Sequence, residues 1–284
     1  QGIIHSLAQI CAEALGVNPE AVSVTGGDTS AVSIGMGTFA SRQAVTAGTS
    51  VHVAATELRN KALKIGANML EAAEEDLELV DGTVRVRGVP EMAVPLGKIA
   101  HAVAGTPGFA LPFGIEPGME AEHNFMPEGL AYCSGSQAAE VEVDVETGDI
   151  RLVDYAAGTD AGTIIHPKTY EGQIFGGAIQ GFSVALSQKW VYDRRWGLLV
   201  AKRFYSNRPP GILDVPYEQP MKWGNADLPD PFNPVGAKGV GEAAQGAGSG
   251  AVVNAIADAL GQETGDFFRS PITRDMILTQ LEQA

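Results

Sequence analysis

Apolar positions between residues 3 and 15 recur with helical spacing: Ile3, Leu7, Ile10, Cys11 and Leu15 share one face of a 3.6-residue repeat. The next apolar run, Ala21–Thr25, is short and β-branched, and it reads as a strand ending at Gly26-Gly27-Asp28-Thr29. A glycine-rich loop follows, and from Ser41 to about Ala73 the pattern is that of a long helix. Around Asp81-Gly82 the alternation of Leu79, Val84 and Val86 predicts a hairpin with a tight turn. Pro95 to Val103 gives a short helix.

Residues 104–134 are rich in Gly and Pro and weakly periodic, as in an extended surface excursion. From Ala138 to Asp154 the alternation Val141, Val143, Val145 and then Ile150, Leu152 predicts a second hairpin, turning at Glu146-Thr147-Gly148-Asp149. A loop of Gly, Thr, Asp and Ala at 158–162 leads to a helix at about 168–187, with strands expected near 189–194 and 197–204. The stretch 207–235 is Pro-rich and irregular, and 236–250 is a Gly-rich loop. A helix at about 249–260 follows, and a last helix is opened by Ser270-Pro271. Strands alternate with helices yet come in hairpins, which excludes a purely parallel sheet. The expectation is a mixed α/β (α+β) fold in two lobes, residues 1–137 and 138–284.

Composition narrows the function. Apolar residues form 45% of the 284, enough for a substantial core. A formal charge of −15 argues against a nucleic-acid partner, which would need a basic face. Cys11 and Cys133 are too few and too isolated for a disulfide framework, a zinc site or an iron–sulfur cluster; a reducing, cytoplasmic setting fits. No apolar run reaches the roughly 20 residues that span a bilayer, and no signal peptide is seen. The chain opens on Gln1-Gly2 without Met, as a cut piece of a longer polypeptide or a processed subunit would.

The 35 glycines are the outlier, and they cluster. Gly37-Thr38-Phe39-Ala40-Ser41-Arg42 feeds a helix N-terminus, which suits an anion such as phosphate; an ordinary Ser-capped helix is the plain alternative. In Glu171-Gly172-Gln173 through Gly181, four glycines stand within a helical pattern, each costing about 1 kcal/mol relative to alanine. Close approach of another backbone, or of a flat ligand, would account for them. Gln173 and Gln180, two turns apart, offer donor and acceptor to a heterocycle edge, or are simply solvated. In Lys238-Gly239-Val240-Gly241-Glu242 a carboxylate has Lys238 as its one local partner. An apolar pocket would make Glu242 a base able to work near neutrality; a surface Glu in a flexible loop is the alternative. The five histidines show no metal-ligand spacing.

Taken in order, Gln1-Gly2, Gly27-Asp28-Thr29, Gly37–Arg42, Glu171-Gly172-Gln173 with Gly176-Gly177, and Gly239-Val240-Gly241-Glu242 resemble one family. It is the molybdopterin-binding large subunit of the xanthine dehydrogenase and aerobic carbon monoxide dehydrogenase family, over its C-terminal half. The resemblance implies a bacterial oxidoreductase that hydroxylates an aldehyde or N-heterocycle with water. It implies a molybdenum–molybdopterin cofactor, in the cytosine dinucleotide form, that its dithiolene rather than any side chain ligates; no residue is assigned to metal. Gln1 and Gly2 would contact that cofactor, and Thr38, Phe39, Ala40, Ser41 and Arg42 would lie along the pterin and its phosphates. Gln173 would meet the pterin edge, with Gly239, Val240 and Gly241 beside it, and Glu242 would be the base next to the metal. The partners implied are a separate N-terminal half, an Fe–S subunit with [2Fe–2S] clusters, an FAD subunit and a small-molecule substrate.

Three departures stand out. His166 occupies the place of the family's asparagine before Pro167, the stretch 104–134 carries no family motif, and Cys133 lies in the wrong part of the chain for the family's active-site cysteine. Two other readings remain beside catalysis: a non-catalytic, cofactor-holding or assembly chain, and a periplasmic solute-binding module.

Overall fold

The computed structural model describes residues 1–32, 34–35, 37–105, 107–216, 220–267 and 269–283. Met36, within the second glycine cluster, lies outside them, as do residues 217–219 of the Pro-rich stretch. The chain folds into two compact units. The first holds Gly2–Ala131 and Asp230–Ala237, and the second holds Gln1, Tyr132–Pro229 and Lys238–Ala284. Both mix helix and sheet.

In the first unit α1 (Ile3–Leu15) packs on α2 (Gln43–Leu70). Gly48 permits that contact, since a Cβ there would sit 3.0 Å from Ile10 Cδ1. β1 (Leu77–Val80), β2 (Thr83–Val86) and β3 (Val89–Pro95) form an antiparallel meander, and α3 (Leu96–Val103) follows. The Asp81-Gly82 turn closes the first hairpin with both residues left-handed, at φ 49° and 66°, as a two-residue hairpin requires. β3 was not expected from the sequence. Gly66 of α2 lies against Val84, where a Cβ would come within 2.5 Å, so the helix settles directly on the sheet. Ile65, Leu77, Val84 and Ile99 make this unit's core. The strand expected at Ala21–Thr25 does not form: Pro19–Ala21 is a 3-10 turn, and residues 22–25 join no ladder among the described residues.

The second unit is built on β4 (Ser134–Val143) antiparallel to β5 (Ile150–Asp160), with β6 (Lys222–Asn225) parallel to β5. The hairpin is longer than expected: Gly158, Thr159 and Asp160, read as loop, finish β5. α4 (Pro167–Leu186) connects β5 toward β6, and His166 caps it, its ring Nδ1 accepting from Thr169 N at 3.2 Å. That imidazole supplies what an Asn or Asp side chain does at other helix starts. The region expected as the Gly-rich loop 236–250 is largely helical, as α5 (Gly241–Gly246) and α6 (Gly248–Ala259). α7 (Arg274–Gln283) begins three residues beyond Pro271 rather than at it. The strands expected at 189–194 and 197–204 reduce to one bridge, Tyr192 with Leu199.

α4 and α6 cover the sheet and bury Tyr155, Ile174, Phe182, Val252 and Ile256 almost completely. Each such side chain contributes about 2 kcal/mol by leaving water. The Tyr155 and Phe182 rings meet edge to face, centroids 5.6 Å apart.

Candidate active site

Glu242 stands on the first turn of α5, and the backbone of that short helix is gripped from two sides. On one side lies β4. A Cβ on Gly135 would come within 2.4 Å of Ala243 O, and Gln137 Nε2 donates to Ala244 O at 2.5 Å. The Gln137 carbonyl in turn accepts from the Tyr155 hydroxyl. Burial pushes the Tyr155 phenol far up, so it stays a donor. On the other side lies α4. A Cβ on Gly177 would meet Ala244 Cβ at 2.7 Å and Gly241 O at 3.2 Å, and one on Gly181 would meet Gln245 O at 2.5 Å. Two of the four α4 glycines therefore exist for close backbone approach. The other two, Gly172 and Gly176, face open space within this chain.

Gln173 lies four residues before Gly177, so it shares the α4 stripe that meets α5, one turn toward the helix start. It is half-buried, whereas Gln180 is exposed. The approach to Glu242 is fixed by Lys238. Its backbone N donates to Ala161 O at 2.9 Å, and its ammonium reaches the Asp160 carboxylate at 2.7 Å, side chains only 12% and 18% exposed. Lys238 is therefore the partner of Asp160, at the end of β5. Gly239 is buried, and Val240 and Gly241 are half-buried.

Glu242 itself is exposed, so the apolar pocket expected around it is not made by this chain. Cys133 feels its charge: the thiol is pushed up first by burial and further by the carboxylates of Glu242 and Asp160. Spacing gave no sign of that interaction. The sequence reading also missed Gln137, although its phase with Ala139 and Val141 on β4 put a polar side chain on the inward face.

In the first unit the loop into α2 holds the other predicted contacts. Thr38, Phe39 and Ala40 are exposed, and Ser41 and Arg42 are half-buried. Ala40 and Ser41 both adopt left-handed φ, 51° and 52°, a conformation non-glycine residues keep only under constraint. The Arg42 guanidinium lies over the Phe39 ring at 4.1 Å. Ser41 does not cap the helix: Arg42 is the N-cap, no side chain caps it, and the first turn contains no acidic residue. Helix N–H dipoles there point toward a place where an anion is favourable. Gly26, Gly27, Gly35 and Gly37 each leave open space where a Cβ would stand. Gln1 is exposed and groups with the second unit, whereas Gly2, at φ 75°, opens α1 of the first.

Among the described residues, no three His, Cys, Asp or Glu side chains gather to hold a metal ion, and no helix is long and apolar enough to cross a membrane. A cavity of about 530 Å³ lined by Phe182, Leu186, Arg208, Ile272 and Arg274 contains none of the candidate residues.

Comparison with known proteins gives this arrangement a context. Residues 1–216 match the family described as molybdopterin cofactor-binding domain. The chain is 34% identical to the 6-hydroxypseudooxynicotine dehydrogenase complex subunit gamma of Paenarthrobacter nicotinovorans, over 99% of this chain and 35% of that one. It is 35% identical to the carbon monoxide dehydrogenase large chain of Afipia carboxidovorans, over 91% of this chain and 31% of that protein. The crystal structure of quinoline 2-oxidoreductase from Pseudomonas putida 86 superposes with a TM-score of 0.88 at 34% identity, covering 99% of this chain and 35% of that one. The chain thus spans about a third of the length of the relatives it matches. It belongs to the molybdopterin cofactor-binding domain family, among the large subunits of the molybdenum hydroxylases.

Proposed function

We propose that this chain is the part of a molybdenum hydroxylase large subunit that carries the catalytic base, and that the base is Glu242. The observation that carries the reading is the grip on α5: β4 and α4 hold its backbone so tightly that the exposed Glu242 stands on a fixed platform. A carboxylate so placed accepts a proton at a fixed point, the requirement of general-base catalysis. The cofactor, when bound, would deliver an oxygen atom to the substrate carbon and take up the two electrons that carbon loses.

The residues present fit such a group. The α2 start offers uncapped N–H groups to phosphates, with Thr38, Phe39, Ala40, Ser41 and Arg42 as the loop around them. Gly172 and Gly176 leave a flat, side-chain-free strip of α4 beside Gln173, whose amide can read a heterocycle edge. Gln1, Gly2, Gly239, Val240 and Gly241 complete the contacts in this reading. Exposure of Glu242 in this chain alone is consistent with a site walled by a further polypeptide, since the relatives are about three times as long.

The finer reading has the cofactor as the cytosine dinucleotide. A separate chain supplies the N-terminal half, FAD and [2Fe–2S] subunits accept the electrons, and the substrate is an aldehyde or N-heterocycle in the cytoplasm. Residues 1–137 and 138–284 would be the two cofactor-binding lobes, the second bearing the base. The test is Glu242→Gln in the assembled complex: turnover is lost while molybdenum content, measured by mass spectrometry, is kept. Unchanged turnover would remove Glu242 from this role and favour a cofactor-holding chain.

A further inference from the structure

The second unit carries an arm whose apolar side chains face solvent. Residues 190–201 form a small hairpin: Val200 N donates to Val191 O at 2.7 Å and Asp193 N to Leu198 O at 2.8 Å. The Asp193 carboxylate holds the turn, accepting from Arg195 N at 2.9 Å and Trp196 N at 2.8 Å. The arm is therefore ordered by its own backbone bonds. Nevertheless Trp190 and Trp196 are 68% and 66% exposed, and Phe204 and Tyr205, just beyond, 84% and 81%. An aromatic side chain carries roughly 150–250 Å², so these four alone expose an area on the order of a few hundred Å², the scale at which exposed apolar surface marks an interaction site.

Charge gives the arm a second character. From Lys189 to Arg208 the sequence has six basic residues against Asp193 alone, a formal +5 within a chain of −15. All six basic side chains are exposed. Among the described residues Arg194, Arg195, Lys202 and Arg203 enter no ion pair, and Arg195 lies over the Trp196 ring at 4.8 Å. Exposed Trp and Tyr interleaved with Arg is the composition of protein–protein hot spots. A nucleic acid or an anionic membrane would also attract such an arm, but the −15 charge of the whole opposes a polyanion.

We infer that the arm, residues 189–208, is the docking element for another polypeptide, the one that supplies the rest of the large subunit, and that it seats on an acidic surface with an apolar floor. The relatives are matched over only 31–35% of their length, and in the proposed function roughly the remaining two thirds of such a subunit comes from a separate polypeptide. The inference rests on the proposed function, in which that polypeptide is a partner.

The test uses the complex purified through this chain from its own cells. A photo-crosslinking phenylalanine analogue substituted at Trp196 or Tyr205 is expected to link to the large-subunit partner, identified by peptide mass spectrometry. The quadruple variant Arg194→Glu, Arg195→Glu, Lys202→Glu, Arg203→Glu is expected to weaken that association at least tenfold, with unchanged circular dichroism and thermal unfolding of the chain alone. Crosslinks to a second copy, to flavin or iron–sulfur chains, to lipid, or to nothing would overturn the assignment, as would undiminished association. Should the charge variant misfold, the crosslinks decide alone. A complex with no large-subunit partner would refute the underlying reading as well; a partner present but crosslinked elsewhere refutes only the docking.

Discussion

Lys238 precedes Glu242 by four residues, and its ammonium is committed to Asp160 in a largely buried pair. Removing one member leaves the other charge unpaired, which costs on the order of 3 kcal/mol. Lys238→Met should therefore lower the unfolding free energy by about that amount, and Lys238→Met with Asp160→Asn should recover most of it, a coupling that denaturant titration of the four variants measures. Equal losses in the single and double variants would mean that the pair does not hold the loop. The motif around Glu242 was legible through the family resemblance, since a carboxylate among glycines reads as readily as a surface residue in a loop. Asp160, 78 residues away, was not: nothing local marks it as the partner of Lys238. The effect of Glu242 on Cys133 and the hydrogen bond from Gln137 to Ala244 O were hidden for the same reason, since they exist only once the chain at 133–137 faces α5.

The glycines of α4 show what element-scale reasoning can and cannot read. Their number signalled a close approach, but only the coordinates divide them. Gly181→Ala drives a methyl into Gln245 O and should destabilise by about 1–3 kcal/mol. Gly176→Ala meets nothing in this chain and should stabilise it by up to about 1 kcal/mol through helix propensity. Thermal unfolding of the two variants tests the division, and movement in the same direction would contradict it. If Gly176 lines the cofactor, its alanine variant should also load less molybdenum in the complex.

The β4–β5 hairpin gives a pH dependence. Asp144, accepting from Glu146 N and Thr147 N across the turn, is held below the ordinary carboxylate range. Asp154 is held low by the Lys222 ammonium and by Tyr155 N. A carboxyl lowered on folding stabilises fully above its unfolded value, about 3.9 for Asp, and loses that contribution as pH falls through the lowered folded value. Melting temperature should thus drop on acidification below about pH 4, and Asp144→Asn should blunt the drop. At this scale the longer helices and both hairpins were legible from periodicity and turn residues, but α5 was not. The apolar stretches 189–194 and 197–204 were read as strands because an apolar pattern does not say what covers it, and here most of their apolar side chains remain exposed.

On the scale of the molecule, two mixed α/β units carry the recognisable motifs of a family whose matched members are about three times longer. In the proposed function one further polypeptide would cover both the exposed Glu242 and the exposed aromatic arm. The platform beneath Glu242 was not foreseen, because 236–250 reads as a loop by its glycines and its grip comes from residues far away in the chain. The most direct measurement is the structure of the assembled, cofactor-loaded complex. The Glu242 carboxylate should lie beside molybdenum, shut away from bulk water, with the Gln173 amide against the pterin edge. A molybdenum site distant from α5, with residue 242 still bathed in solvent, would contradict the account.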